Sequence, residues 1–116
     1  MKVAVIGSRS FGDWQLLRSA LEKYEIGEVI SGGARGADSM AAQWAKEKGI
    51  PIKEFLPDYK KFGRAAPIRR NDLIVDACEM LVAFWDGESR GTKYTFDLAL
   101  KKGKSVEVVN FRSKAD

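Results

Sequence analysis

Between a strand-like apolar run and a helical one, the chain carries Ser31-Gly32-Gly33-Ala34-Arg35-Gly36-Ala37-Asp38, with three glycines and an arginine within five residues. Glycine lets a backbone take positive φ and approach a ligand closely. A helix opening near Gly36 points free N–H groups and the positive end of its dipole at an anion. A second such turn, Asp86-Gly87-Glu88-Ser89-Arg90-Gly91-Thr92, follows the apolar run Met80 to Trp85 and opens another helix. Ser89 and Thr92 supply hydroxyls and Gly91 an open backbone at that helix start, a set that can grip a phosphate; Ser89 equally suits a plain N-cap. A third turn, Gly7-Ser8-Arg9, closes the first apolar run and offers the Ser8 hydroxyl beside backbone amides. Gly7 and Gly12 are spaced as in a Walker A loop, but Asp13-Trp14 stands where Lys-Ser/Thr would hold phosphates and Mg²⁺, which excludes a P-loop NTPase. The G-x-G-x-x-G dinucleotide fingerprint is missing as well, which argues against an ordinary NAD dehydrogenase.

What the chain lacks narrows the chemistry further. It has one cysteine, Cys78, and no histidine. An intramolecular disulfide, Ser-His-Asp and Cys-His catalytic sets, and zinc sites built on His or paired Cys are therefore excluded. Cys78 falls at the end of an amphipathic helical pattern, where a small buried apolar side chain is expected. The net charge of +4, from 20 basic and 16 acidic residues, is modest. Lys101, Lys102, Lys104, Arg112 and Lys114 read as solvated surface, whereas Lys60, Lys61, Arg64, Arg69 and Arg70 occupy a segment able to fold over phosphates. The 116 residues suit one domain spanning 1–116. No apolar run approaches the roughly 18 residues of a membrane span or the core of a signal peptide, so the expectation is a cytoplasmic protein without membrane contact.

The elements that must position these turns follow from hydrophobic period and punctuation. Lys2 to Ile6, Glu28 to Ile30, Ile52 to Leu56, Met80 to Trp85 and Ser105 to Val109 read as strands. Asp13 caps a helix with Leu16, Leu17, Ala20, Leu21 and Tyr24 on its apolar face. The next helix turns Met40, Ala41, Trp44 and Ala45 inward and stops at Gly49-Ile50-Pro51. Pro57 to Ala66 is irregular. Pro67 suits the first turn of a helix whose inner face carries Ile68, Leu73 or Ile74, and Ala77. A last helix runs from about Thr92 to Lys102. Alternating strands and helices with short connections imply an α/β fold of the Rossmann-like, three-layer kind: a five-stranded parallel sheet, order 3-2-1-4-5, covered on both faces. That order places a topological switch point between the first and fourth strands, so the glycine-bearing turns meet at one sheet edge. The expected ligand-binding set is Gly7, Ser8, Arg9, Gly32, Gly33, Arg35, Gly36, Asp38, Asp86, Ser89, Gly91 and Thr92. Arg35 pairs with phosphate or points to solvent. Asp38 either stabilises the helix dipole or binds ribose hydroxyls. The ligand expected from these turns is a nucleotide or a nucleotide derivative; no metal and no further cofactor is required.

In order along the chain, Val3 to Arg9 (VAVIGSR), the SGGARGAD turn, and Ser89 to Ala99 (SRGTKYTFDLA) resemble the SLOG superfamily of Rossmann-like nucleotide-binding domains, and most of all its small stand-alone YspA/YpsA-like branch. The SGGARGAD turn also resembles the matching motif of DNA-processing protein A. The Gly-Thr of the later turn resembles the PGGxGTxxE motif of cytokinin-activating phosphoribohydrolases. The resemblance reaches from Met1 to about Val109 and implies the same sheet order and a nucleotide-derived ligand. It also adds Arg70 and Asn71, which match an arginine-bearing helix that faces the nucleotide in relatives. In the phosphoribohydrolases, acidic residues two and three positions after the Gly-Thr serve N-glycosidic cleavage; here those positions hold Tyr94 and Thr95. Asp97, about 200° around the helix from Thr95, and Glu88 are weak catalytic substitutes. Binding without strong catalysis, as a sensor or sequestering protein, therefore ranks first. An N-glycosidase using Asp38, Glu88, Asp86 or Asp97 ranks second. Single-stranded nucleic-acid binding through Tyr59, Phe62 and nearby basic residues ranks third. Trp14, Trp44 and Phe62 are candidate contacts for a homo-oligomer, although core packing explains the two tryptophans equally well.

Overall fold

The computed structural model describes residues 1–112; Lys114 lies outside the described residues. Five parallel strands, β1 (Lys2–Gly7), β2 (Glu28–Ser31), β3 (Ile52–Glu54), β4 (Met80–Trp85) and β5 (Ser105–Asn110), form one sheet in the order 3-2-1-4-5. Each pair is joined by a helical crossover: α1 (Trp14–Leu21), α2 (Ala37–Lys48), the short α3 (Tyr59–Phe62) with α4 (Ala66–Ala77), and α5 (Arg90–Lys101). This is a Rossmann-like architecture.

The alternation of β1 explains the three layers. Val3 and Val5 join Leu17, Leu21, Ala41 and Trp44 in a core under α1 and α2, while Ala4 and Ile6 join Ile74, Val75, Phe96 and Ala99 in a core under α4 and α5. Val3, Val5, Leu17, Leu21 and Ile74 are almost fully buried. Each such aliphatic side chain contributes about 1.5–3 kcal/mol relative to exposure. The exposed ion pairs Arg18–Glu22, Lys48–Glu22 and Lys93–Asp97 are screened by water and contribute little, so apolar burial decides the layering.

Local signals set the helix ends. The Asp13 carboxylate accepts the Leu16 amide 3.0 Å away and starts α1. α2 ends in a Schellman arrangement, with the Ile50 amide donating to Ala45 at 2.8 Å and the Gly49 amide to Lys46 at 3.2 Å, before Pro51 ends the helix. Cys78 caps the end of α4 and is buried.

Several sequence expectations need correction. β3 stops at Glu54 rather than Leu56, because its ladder with β2 ends at the Ser31–Glu54 pair; after one further bond from the Phe55 amide to Ser31, Leu56 turns into solvent. α4 buries Ala66, Ile74 and Val75, whereas Ile68 and Leu73 are exposed. Pro67 forces the first turn but does not fix which side packs on the sheet. α5 begins at Arg90, because Ser89 is its N-cap. Trp44 is buried in the core and so unavailable to a partner; Trp14 packs partly against the same core, and Phe62 is exposed.

Candidate functional site

At the carboxyl edge of the sheet a cleft of about 460 Å³ opens between the ends of β1 and β4 and the starts of α2, α4 and α5. The backbone converges there because small residues allow it. A Cβ on Gly7 would lie 2.6 Å from the Ala37 Cβ and 2.9 Å from the Phe84 carbonyl, so glycine lets α2 press against β1. Gly36, at φ +81°, caps α2 in a conformation side chains rarely adopt, and its Cα faces the Ser8 and Arg9 carbonyls, 2.7 and 3.0 Å from where a Cβ would stand. Ser8 ties two turns together: its amide donates to the Phe84 carbonyl at 3.0 Å, and its hydroxyl accepts the Asp86 amide at 3.3 Å.

In each of the two main glycine turns one carboxylate ties down two loop amides. In the first, one oxygen of the Asp38 carboxylate accepts the amides of Gly32 at 3.1 Å and Ala34 at 3.2 Å. Those two donors are thus committed to the protein, which corrects the picture of this turn as an open phosphate cradle. Burial pushes the Asp38 carboxyl up to about 6, against the pull of the Ala34 amide, the nearby Arg70 guanidinium and the Gly32 amide. Arg70 reaches down from α4 to donate to the Gly32 carbonyl at 2.6 Å and, more weakly, to Phe55 at 3.4 Å; its Nε donates to the Asn71 side-chain oxygen at 2.8 Å.

In the second turn the Asp86 carboxylate accepts the Ser89 amide at 2.8 Å and the Glu88 amide at 2.9 Å, which hold it below its ordinary pKa. Ser89 Oγ accepts the Thr92 amide at 3.4 Å and donates to the Thr92 hydroxyl at 3.0 Å, while the Trp85 indole holds the Ser89 carbonyl at 3.0 Å. The amides of Arg90 and Gly91, at the first two positions of α5, have no intrahelical acceptor. A Cβ on Gly91 would meet nothing within 4 Å. This helix start therefore remains open to a ligand.

Gly7, Ser8, Arg9, Asp38, Arg70, Asn71, Asp86, Ser89, Gly91 and Thr92 line the cleft together. Gly32, Gly33, Arg35 and Gly36 do not; Gly32 and Gly36 shape the wall from behind, and Gly33 and Arg35 are exposed. Glu88 is exposed outside the cleft, and Asp97 is exposed beside Lys93 at 2.6 Å. Tyr94 donates to Asp72 at 2.8 Å, also away from the cleft. Thr95, noted in the sequence only as a missing carboxylate, lines the cleft and donates to the Gly91 carbonyl at 2.8 Å. Ile6, Ser10, Ala34, Pro67 and Ile74 complete the lining. Helical spacing from Thr92 points to Thr95, and spacing from Arg70 and Asn71 points to Pro67 and Ile74. Among the described residues no group of His, Cys, Asp and Glu is arranged to hold a metal ion.

Known proteins agree with this architecture. DNA processing protein A (DprA) from Streptococcus pneumoniae superposes with a TM-score of 0.77 at 19% identity, over 92% of this chain and 49% of that one. The chain thus spans about half the length of that protein and shares its fold over that half. The gene 61 protein of Mycobacterium phage D29 is 32% identical over 124 residues, which cover 97% of this chain and 98% of the phage protein. A family model matches residues 1–62, through β1, the first glycine turn and α3. The chain belongs to the YspA, cpYpsA-related SLOG family.

Proposed function

We propose that this domain binds a nucleotide or nucleotide-derived ligand in the β1–β4 cleft, as a sensor or sequestering protein, and leaves the ligand intact. The carrying observation is the start of α5: the Gly91 amide without an intrahelical acceptor, the Ser89 and Thr92 hydroxyls and the unobstructed Gly91 backbone line one cleft. A phosphate there gains the helix dipole and charge-assisted hydrogen bonds. Both carboxylates on the cleft wall, Asp38 and Asp86, are engaged by backbone amides, and Glu88 and Asp97 lie outside it, which supports binding over hydrolysis.

The test is thermal unfolding with nucleoside phosphates, dinucleotides and cyclic dinucleotides. A ligand at about 100 times its Kd adds roughly 2.7 kcal/mol, a shift of several degrees in a domain of this size. No shift with any of them at millimolar concentration would overturn the proposal.

Two other readings each keep one observation. Asp38, in the cleft with its carboxyl at about 6, is in the range of a general acid for N-glycosidic cleavage; release of free base, abolished in Asp38→Asn, would establish that activity. Tyr59 and Phe62 are exposed beside Lys60 and Lys61, as in stacking surfaces for single strands. Oligonucleotide affinity falling with a log–log salt slope of roughly −0.7 per phosphate contacted would favour that partner.

A further inference from the structure

This inference rests on the nucleotide-binding reading above. We infer that Asp38 and Asn71 form a hydroxyl-reading pair in the cleft, beside the phosphate site at α5, so that the site selects ligands with the vicinal hydroxyls of a ribose.

The argument starts from which atoms are already used. Both hydrogen bonds to Asp38 fall on the same carboxylate oxygen. The second oxygen has no hydrogen-bond partner among the described residues, yet the side chain is 93% buried, at 7% exposure, and lines the cleft. That oxygen is not sealed in the core: among the described residues the one side-chain polar atom both sealed and unpartnered is the Trp44 indole nitrogen. It is therefore an acceptor held in place by two amides and open to the cleft. Asn71 is fixed in the complementary sense. Its oxygen is taken by Arg70 Nε at 2.8 Å, which leaves the side-chain NH₂ as its free donor group in the same cleft. Arg70 connects the two, because its guanidinium and the Asp38 carboxylate grip the carbonyl and the amide of Gly32 respectively.

The Asp38 carboxylate disfavours a phosphate at this place, since like charges in a partly dehydrated cleft repel. A pair of adjacent hydroxyls suits the two side chains: one donates to Asp38 and the other accepts from Asn71. With phosphate drawn to α5, the ligand is oriented along the cleft, sugar hydroxyls toward α2 and α4.

The experiment is calorimetric titration of the full chain with AMP, 2′-deoxy-AMP, 3′-deoxy-AMP and inosine 5′-monophosphate. A hydrogen bond from a hydroxyl to a carboxylate corresponds to roughly a tenfold or greater change in Kd. The expected result is that at least one deoxy probe binds ten times or more weakly than AMP, with inosine monophosphate close to AMP. In Asn71→Ala and Asp38→Asn the ratio of deoxy to ribo Kd falls toward one, whereas a merely structural defect would weaken all probes equally. Equal affinity for the ribo and deoxy probes in the unmodified protein overturns the inference, as does discrimination that follows the base amino group instead of the sugar. Failure of every ribonucleotide to bind overturns the nucleotide reading, and this inference with it.

Discussion

Arg70 reaches from α4 to the carbonyl of Gly32, 38 positions earlier, at 2.6 Å. A Cβ at Gly32 would collide with the guanidinium, 2.8 Å from its Cζ. The glycine makes room for the arginine, and the arginine holds the turn, so the two act as one unit. Arg70→Ala and Gly32→Ala should each lower stability by about 1.5–3 kcal/mol, the range for hydrogen bonds to charged groups. The double variant should cost little more than either single one. Urea denaturation of the three variants measures this; full additivity would show that the contact does not couple them.

Two other glycines should behave in opposite ways. At Gly7 an added Cβ meets the Ala37 Cβ and the Phe84 carbonyl, neither of which can swing aside. Gly7→Ala should therefore destabilise by about 1–3 kcal/mol through overpacking. Gly91 sits in α5 with open space around it, so Gly91→Ala should stabilise by up to about 1 kcal/mol through helix propensity while its methyl obstructs the proposed phosphate site. Thermal unfolding and nucleotide titration of both variants separate the roles. Unchanged affinity in a stabilised Gly91→Ala would remove α5 from the site.

Asp38 predicts a pH dependence with a definite sign. Its folded pKa, about 6, lies above the ordinary value of 3.8. The folded state thus binds a proton that the unfolded state has released, and stability falls as pH rises through this window. From pH 4 to 7 the unmodified protein should lose up to about 3 kcal/mol relative to Asp38→Asn, given about 1.4 kcal/mol per pKa unit. Asparagine keeps an oxygen for the Gly32 and Ala34 amides without the buried charge. Chemical denaturation of both proteins at several pH values tests this, and a constant difference between them would refute it.

The capping network at α5 gives a fourth expectation. Ser89→Ala removes the acceptor of the Thr92 amide and the partner of the Thr92 hydroxyl, which should cost about 1 kcal/mol of stability. Thr92→Ala removes a hydroxyl from the proposed phosphate site and should weaken nucleotide binding more than it weakens folding. Unfolding and binding measured on the same preparations would disprove the division of labour if both variants lost affinity and stability in the same proportion.

The sheet order and the sheet edge that carries the glycine turns were legible in the sequence because both rest on local rules. Apolar runs too short for helices alternate with amphipathic segments, and right-handed crossovers leave few ways to arrange them. Side-chain period also marked Leu17, Leu21 and Trp44 as inward-facing. The same rules misplace Ile68, because packing against β1 and β2 selects Ile74 and Val75 as the inner face of α4.

The sequence by itself determined which residue types gather at the β1–β4 edge: glycines, hydroxyls, Arg70 and Asn71 follow from turn chemistry, strand order and family resemblance. Only the tertiary structure decided what fills the first glycine turn. Asp38 reads alike from sequence as a dipole-stabilising residue or as a ligand contact. Whether its carboxylate fills the first turn depends on the path of the backbone from Gly32 to Asp38, and that path is fixed by contacts distant in sequence: the Gly7–Ala37 approach, the Ser8 and Arg9 carbonyls beside Gly36, and Arg70 on Gly32. Short-range spacing carries no record of such contacts, so the role of Asp38 in the first turn appears only when the chain has folded.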